Sequence, residues 1–560
     1  NVVAALHGGY GGDVDEALAA SAVTVGGEWR TSRVSHAQLE THGSIGWIDD
    51  DGRLVIRSST QVPFLVRDEI ARIFGRDPAE VRVFAARVGG GFGGKQEIFT
   101  EDLVALAVLD TGRAVSYEFS RTDEFQRAAL RHPMRVAVTL GATRDGVLTA
   151  MKLDLLSDTG AYGNHSRGVL FHACADAMTV YRSPVRGIHA EVVYTNNVPS
   201  GAFRGYGLGQ VILGVESAMD ELALTLGMDP FELRRRNVIR PGDDLHEPDL
   251  RWGSYGLDQC LDLAETALRR GNGVESPEGW AVGEGMAVAM IATMAPFGHI
   301  SHTTATLRPD GTYALRAGTS EFGNGTTVVL RQIAASVFGV DVDRLDLKTA
   351  DTDLVSHDTG AFASAGVTVA GKALYAACLA LEQRMLRIAR DLVPDAEPEL
   401  TPDGVRAGDR LITCADIVAA ASDAAPEGLT ATGAELGEVR SLAFNVHAVR
   451  VAVDPSTGTV RILQSIQSAD AGTVLNPAQC RGQVEGGAAQ GIGSALYEEV
   501  LVDENGRVEN PVFRTYRVPQ FADIVDTEVY FAETRDDLGP FGAKSMSESP
   551  YNPVAPAIGN

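Results

Sequence analysis

Cysteine is scarce. Five occur in 560 residues, at Cys174, Cys260, Cys378, Cys414 and Cys480, and no two stand in a CxxC pair. That excludes a disulfide scaffold and leaves this chain without an iron–sulfur or structural zinc framework. Cations are short as well: 48 Lys and Arg stand against 74 Asp and Glu, a net charge of −26. Such a surface excludes tracking of a nucleic-acid backbone, which needs clustered cations. No uninterrupted apolar run reaches about 18 residues, so no transmembrane helix is expected. There is no signal-peptide pattern, and isolated cysteines suit a reducing compartment, so the expected location is cytoplasmic. The chain opens on Asn1 rather than Met and stops at Asn560 in what reads as mid-element, so a fragment is expected.

Glycine, in contrast, is in excess. It supplies 61 of 560 residues, where about 7% is usual. The glycines cluster at Gly89–Gly94, Gly205–Gly209, Gly323–Gly325 and Gly482–Gly493. Such clusters mark tight turns or places where a ligand approaches the backbone. The rest is ordinary for a globular protein, with 44% hydrophobic and 22% charged residues. Length alone suggests three or four domains of about 150 residues, or two large ones.

Periodicity predicts helices over Asp13–Ala22, Val62–Phe74, Phe99–Leu109, Val211–Leu226, Leu257–Arg269, Val367–Leu392 and Gly482–Tyr497. Strands are expected at Arg53–Ser59, Val81–Val88, Arg135–Leu140, Leu148–Leu156, Ile188–Tyr194, Gly283–Ile291, Ser301–Leu307 and Tyr313–Ala317. The turn Asp454–Gly458 marks a hairpin, and Val393–Glu427 reads as a surface insertion. Without strict βαβ alternation the class is α+β. The polar, Pro- and Gly-bearing segment Arg240–Gly253 is the boundary between a first domain, 1–240, and a second, 241–560.

Five segments carry chemistry. Gly89–Lys95 has the spacing of a phosphate-binding loop, but Gln96 stands where a hydroxyl should reach magnesium. Its other readings are a tight turn, or a nest of N–H groups around a polar ligand. Arg204, among Gly201–Gly209, offers a fork to an oxyanion or merely sits in a turn. Amide side chains stand beside glycine in Glu321–Gly325 and Gln490–Gly493. Glu548, between Met546 and Pro550, is a candidate general base or an exposed loop residue. His299 and His302 lack a third ligand in register and read as ordinary histidines.

In order along the chain, Ser59-Thr60-Gln61, Gly89–Glu97, Ala202–Gln210, Gly482–Glu498 and Gly542–Pro550 resemble the molybdenum-binding part of the xanthine dehydrogenase/aldehyde oxidase family. Asp158–Tyr162 fits as well, and the likeness runs from about Ser35 to Ile558. It implies two large molybdopterin-binding domains of mixed sheets and helices, without the hammerhead-type domain that usually precedes them. It implies a molybdopterin, in bacterial members often the cytosine dinucleotide, whose metal takes no protein side chain as ligand. By position Gln61, Gly91, Phe92, Gly93, Arg204, Gly323 and Gln490 resemble cofactor-binding residues, and Glu548 the general base.

The implied reaction is hydroxylation of an N-heteroaromatic ring or an aldehyde with water as oxygen source. Electrons would leave through [2Fe–2S] and FAD on partner subunits or on missing domains, in a complex expected to be a homodimer. The substrate pocket is expected at Gln96, His172 and Tyr206. Purine-oxidising members carry Glu at the position of Gln96 and Arg where alignment places His172, so this pocket departs from theirs. Ser547 replaces a common glycine beside the base, and the Arg204 loop lacks the cysteine of carbon monoxide dehydrogenases. The competing readings are a P-loop nucleotide-binding protein and a cofactor-binding paralogue with a dead site.

Overall fold

The computed structural model describes residues 1–296 and 298–560. Strands with alternating burial build its first sheet. β1 (Val2–Tyr10), β2 (Val23–Thr31), β7 (Met134–Ala142), β8 (Leu148–Gly160) and β9 (Val185–Tyr194) lie in the order β1-β9-β8-β7-β2, with only the β8–β9 pair parallel. Helices Ser166–Thr179 and Leu208–Leu226 pack against this sheet. A second sheet, in the order β5-β4-β3-β6, is made of β3 (Gly43–Ile48), β4 (Leu54–Ser58), β5 (Val81–Phe84) and β6 (Val115–Glu118). Its Leu54 and Ile56 bury against Val66 and Ile70 of helix Pro63–Phe74 and Val104 and Val108 of helix Glu101–Thr111.

The second half holds the other three sheets. β10 (Ala281–Ala292), β18 (Leu442–Val453), β19 (Val460–Ala469) and β20 (Thr527–Phe531) run β10-β18-β19-β20. β18 is covered on both faces, so its sequence is nearly continuous in apolar residues rather than alternating. β11 (Ser301–Leu307), β12 (Tyr313–Ala317), β13 (Leu345–Lys348) and β17 (Leu429–Glu435) run β13-β12-β11-β17, backed by helices Thr326–Phe338 and Lys372–Leu392. β14 (Pro398–Thr401), β15 (Gly404–Ala407) and β16 (Arg410–Thr413) form a small antiparallel sheet. The largest apolar cluster joins Val136, Leu153 and Val211 to Met286, Phe444 and Ile466. One core therefore spans the polar segment near residue 240.

Mixed sheets with helices against them bear out the α+β expectation. Most expected elements lie where periodicity put them, and Gly75 and Gly227 end their helices in the left-handed conformation. Three expectations need correction. Val393–Glu427 is not a surface insertion: Val405, Ile412 and Ile417 are fully buried, in one cluster with Tyr313 and Leu381. The helix expected from Val367 opens as a π-helical turn, Gly366–Gly371, where Thr368 Oγ1 bonds the Thr293 carbonyl at 2.7 Å. Helices Ser166–Thr179 and Thr326–Phe338 escaped the sequence reading. Among the described residues no helix is long and apolar enough to cross a membrane.

Candidate active site

The glycine loop after β5 is shaped by its neighbours. Gly90 (φ 95°), Phe92 (φ 53°) and Gly93 (φ 100°) all take the left-handed conformation. Gly91 has no room for a side chain, since a Cβ would lie 2.4 Å from Gln61 Oε1. That oxygen accepts from the Gly93 and Lys95 N–H groups at 3.1 and 3.3 Å, and Gln61 Nε2 donates to the Ala361 carbonyl at 2.7 Å. One N–H of the buried amide remains for the cavity it lines. Lys95 is spent elsewhere. Its ammonium is buried on Ser59 Oγ (2.7 Å) and Glu40 (3.0 Å), and the next helix starts only at Glu101. The P-loop reading fails on both counts, because that loop needs an exposed lysine and a helix N-terminus directly behind it.

Arg204 is a tie, not an open fork. Its Nε donates to the Ser547 carbonyl and its Nη2 to the Gln483 carbonyl at 3.0 Å, while its backbone N–H bonds the Phe92 carbonyl at 2.8 Å. Burial lowers its pKa to about 10, which leaves it charged. One guanidinium thus joins the Phe203–Gly205 turn to helix Pro477–Leu496 and to the segment carrying Glu548.

Helix Pro477–Leu496 explains its own glycines. A Cβ at Gly487 would meet Pro550 at 2.9 Å, and one at Gly491 would meet Val554 at 2.5 Å, so that face packs closely on the C-terminal turns. Gly482 and Gly486 face the cavity, where a Cβ would touch nothing. Gln483 and Gln490 complete the stripe. Gly323 also lines the cavity with open space before it, but its N–H is already donated to Glu321 Oε1 at 2.9 Å. Glu321 takes the N–H groups of Gly325 and Thr327 too, so this helix N-terminus already holds a carboxylate.

Glu548 lies on the cavity wall. Its Oε1 accepts from the Gly205 N–H at 3.2 Å and its Oε2 from Ser364 Oγ at 2.9 Å. The hydroxyl on the carboxylate is therefore that of Ser364, and Ser547 contributes its carbonyl to Arg204 instead. Ala363 and Ser364 hold φ near +50°, a strained pair that aims this hydroxyl.

Tyr206 (φ 47°) bonds His165 Nδ1 through its hydroxyl at 3.0 Å. Burial raises its pKa, so it stays a neutral donor. His172 Nδ1 lies 3.1 Å from the Tyr206 carbonyl and its Nε2 3.4 Å from Asp176. Behind Gln96, both Glu97 oxygens are buried without partners, and burial pushes this carboxyl up to about 8. His165, 3.9 Å away, is itself neutral, because burial holds its pKa at about 4. The sequence reading missed Arg167, Asp176 and Ser364, which line the cavity together with Asn324 and Glu498 of the segments singled out above. Arg167, Phe171, His172 and Asp176 form one face of helix Ser166–Thr179. An arginine, Arg167, stands five residues upstream of His172 on this face. Helical spacing was the available signal, blurred because the helix is buried along most of its length and mixes polar and apolar residues on its cavity side.

These walls enclose about 1740 Å³. Gln61, Phe92, Gly93, Gln96, His172, Arg204, Tyr206, Gly323, Gln490 and Glu548 all line it, and Gly91 stands just behind Gln61. The amide oxygens of Gln96, Asn324 and Gln490 are buried there without a hydrogen-bond partner. Unpartnered amides and bare glycine backbone suit a flat, hydrogen-bonding ring system such as a pterin. Among the described residues no group of three or more His, Cys, Asp or Glu side chains in the cavity is spaced to hold a metal ion.

A cavity of this build suits a protein that holds a large organic cofactor, and two family models say which class. Residues 1–238 and residues 259–525 each match a molybdopterin cofactor-binding domain. The chain belongs to the xanthine dehydrogenase family of molybdenum-binding subunits. It is 33% identical to the putative xanthine dehydrogenase molybdenum-binding subunit XdhA of Escherichia coli, over 98% of this chain and 75% of that protein. It is 32% identical to the probable hypoxanthine oxidase XdhD of the same organism, over all of this chain and 60% of that one. Against some of its curated relatives, then, the chain spans about 60% of their length. Quinoline 2-oxidoreductase from Pseudomonas putida 86 superposes over all of this chain and 75% of its own, with a TM-score of 0.90 and 27% identity.

Proposed function

We propose that this chain is the catalytic subunit of a molybdenum hydroxylase that oxidises an N-heteroaromatic compound or an aldehyde, with water as the source of oxygen. The observation that carries the reading is Glu548, a carboxylate held by Gly205 and Ser364 on the wall of a cavity rich in glycine and amide groups. Bound molybdopterin supplies the two-electron acceptor. Gln61 and Gln490 would offer the cofactor their amide groups, Gly93 and Gly323 would give it bare backbone to rest against, with Gly91 and Phe92 shaping that loop, and Arg204 would tie the wall together. Glu548 accepts the proton released as oxygen is delivered to an electron-poor carbon. Its two hydrogen bonds fix the carboxylate so that the acceptor oxygen has one orientation. Gln96, Tyr206 and the His172–Asp176 pair orient the substrate ring, and Arg167 offers it a guanidinium.

Two cofactor-binding units, 1–240 and 241–560, form the cradle. The cofactor is the cytosine dinucleotide form, and electrons pass to [2Fe–2S] and FAD on partner subunits of a cytoplasmic, dimeric complex. Support for partners comes from the name of the XdhA relative, a subunit, and from the absence of any cysteine pair suited to a cluster here. The test is Glu548→Gln in the purified complex. Turnover should fall by at least about 100-fold while molybdenum and releasable pterin stay near one per chain. Near-normal turnover would remove Glu548 as the base. A folded native complex lacking both molybdenum and pterin would overturn the whole reading.

A further inference from the structure

The first sheet turns its other face outward, away from the cavity. There β1 and β9 place His7 directly opposite His189, and Glu191 stands two residues along β9 on the same face. One ligand atom from each of the three lies within 4.8 Å of the others. Among the described residues this is the one group of three or more His, Cys, Asp or Glu side chains that meets this criterion. His7 Nε2 is 3.8 Å from Glu191 Oε1, and the two imidazole rings are 4.2 Å apart and tilted by 45°. One strand further, β8 sets Asp154 beside His189, with Oδ1 4.0 Å from Nδ1. All of these separations exceed hydrogen-bond length, so the donors are gathered without satisfying one another.

We infer that His7, His189 and Glu191 form a surface site for a divalent transition-metal ion of the zinc class. Two neutral imidazoles and a carboxylate are a zinc donor set. Bonds of about 2.0–2.1 Å place tetrahedral donors about 3.4 Å apart, so the present spacing closes with small side-chain rotations. Asp154 supplies the outer carboxylate that orients His189 through its second ring nitrogen. With Glu191 it offsets the charge of the ion, and Lys152 on the same face of β8 is already engaged by Asp15 at 2.8 Å. The same-face neighbours of His7 on β1 are Ala5 and Gly9, too small to cover a fourth position, which is left to solvent. The ion would also clamp a strand. β1 lies at the edge of its sheet and pairs only with β9, and its inward-facing Leu6 lines the cavity.

The test is a Zn2+ titration of the chelator-stripped complex against a chromophoric zinc indicator. Wild type should bind one more Zn2+ per chain than the His7→Ala/His189→Ala variant. Asp154→Asn, which keeps both imidazoles and the strand pairing, should weaken that ion about 10- to 100-fold. Hydrogen exchange at the Val2–Tyr10 amides should slow with Zn2+ in wild type only. Equal stoichiometry in wild type and the double variant, at equal molybdenum content, would overturn the site. Unchanged exchange would overturn the clamp.

Discussion

Lys544 and Asp470 form a salt bridge of 2.7 Å with both side chains wholly out of solvent. Replacing Lys544 by Met keeps the stem and deletes the charge. Asp470 is then left with Thr534 Oγ1 and a long contact to the Gly472 N–H, and Ser254 loses its 3.2 Å donor. At an effective dielectric constant of about 20 the pair attracts by about 6 kcal/mol. Desolvation offsets much of that, but removing one partner strands a buried charge, which costs about 3–5 kcal/mol. A chain of this size does not unfold in one reversible step, so the readout is native-state hydrogen exchange. The amides to follow are Thr473, Ala543 and Lys544, bonded to Gly542, Pro540 and Ala471. A loss of 3 kcal/mol corresponds to about 100-fold faster exchange. Turnover should fall in parallel, because Glu548 lies four residues further on. Asp470→Asn added to Lys544→Met should restore most of the protection, since no charge remains buried. Protection within about 3-fold of wild type in Lys544→Met would refute the argument.

Gly91→Ala should displace the Gln61 amide, since the new methyl lies 2.4 Å from its oxygen; the purified complex should lose pterin and molybdenum, and full retention would contradict the assignment. Glu97 has its carboxyl raised to about 8 by burial. The folded state keeps a proton that the unfolded chain releases near pH 4.5, so this contribution to stability is complete below about 4.5 and is lost as pH rises through about 8. Glu97→Gln should therefore slow thermal inactivation at pH 8.5 and leave it little changed at pH 5, whereas parallel pH profiles would count against it. Of the three arginines on the cavity wall, Arg204 and Arg440 are engaged, the latter by Glu247 and Asp249, and Arg167 has no carboxylate partner among the described residues. Arg167→Ala should raise KM at least 10-fold for ring substrates bearing an oxo or carboxylate group and leave neutral aldehydes nearly unaffected.

Glycine clusters and amide side chains pointed to the cavity because close approach to backbone leaves a mark in residue type. Helix-ending glycines and alternating strands located much of the scaffold for the same reason. Other features left no local mark. The role of Arg204 depends on the carbonyls of Ser547 and Gln483, 343 and 279 residues away in sequence. Ser364 reads as one hydroxyl in a small-residue run until the left-handed backbone at Ala363 and Ser364 brings it to Glu548. Helix Ser166–Thr179 is buried along most of its length, so its apolar residues show little sidedness and periodicity does not reveal it. Val393–Glu427 looked peripheral because short strands with polar turns show no period until they pair.

Helix Pro477–Leu496 contains five glycines, and each weakens an isolated helix by about 1 kcal/mol relative to alanine. Its glycines at 487 and 491 gain that back by close packing on Pro550 and Val554, whereas Gly482 and Gly486 face the cavity and have nothing to pack against. The half of the helix nearest its N-terminus is anchored by buried Val484 and by Arg204 on the Gln483 carbonyl, and it leaves its glycine face to whatever fills the cavity. Loading and wall stability are therefore linked: a ligand that seats against bare backbone adds its binding energy to a helix that glycine weakens, so the loaded chain should resist proteolysis at this helix better than the empty one.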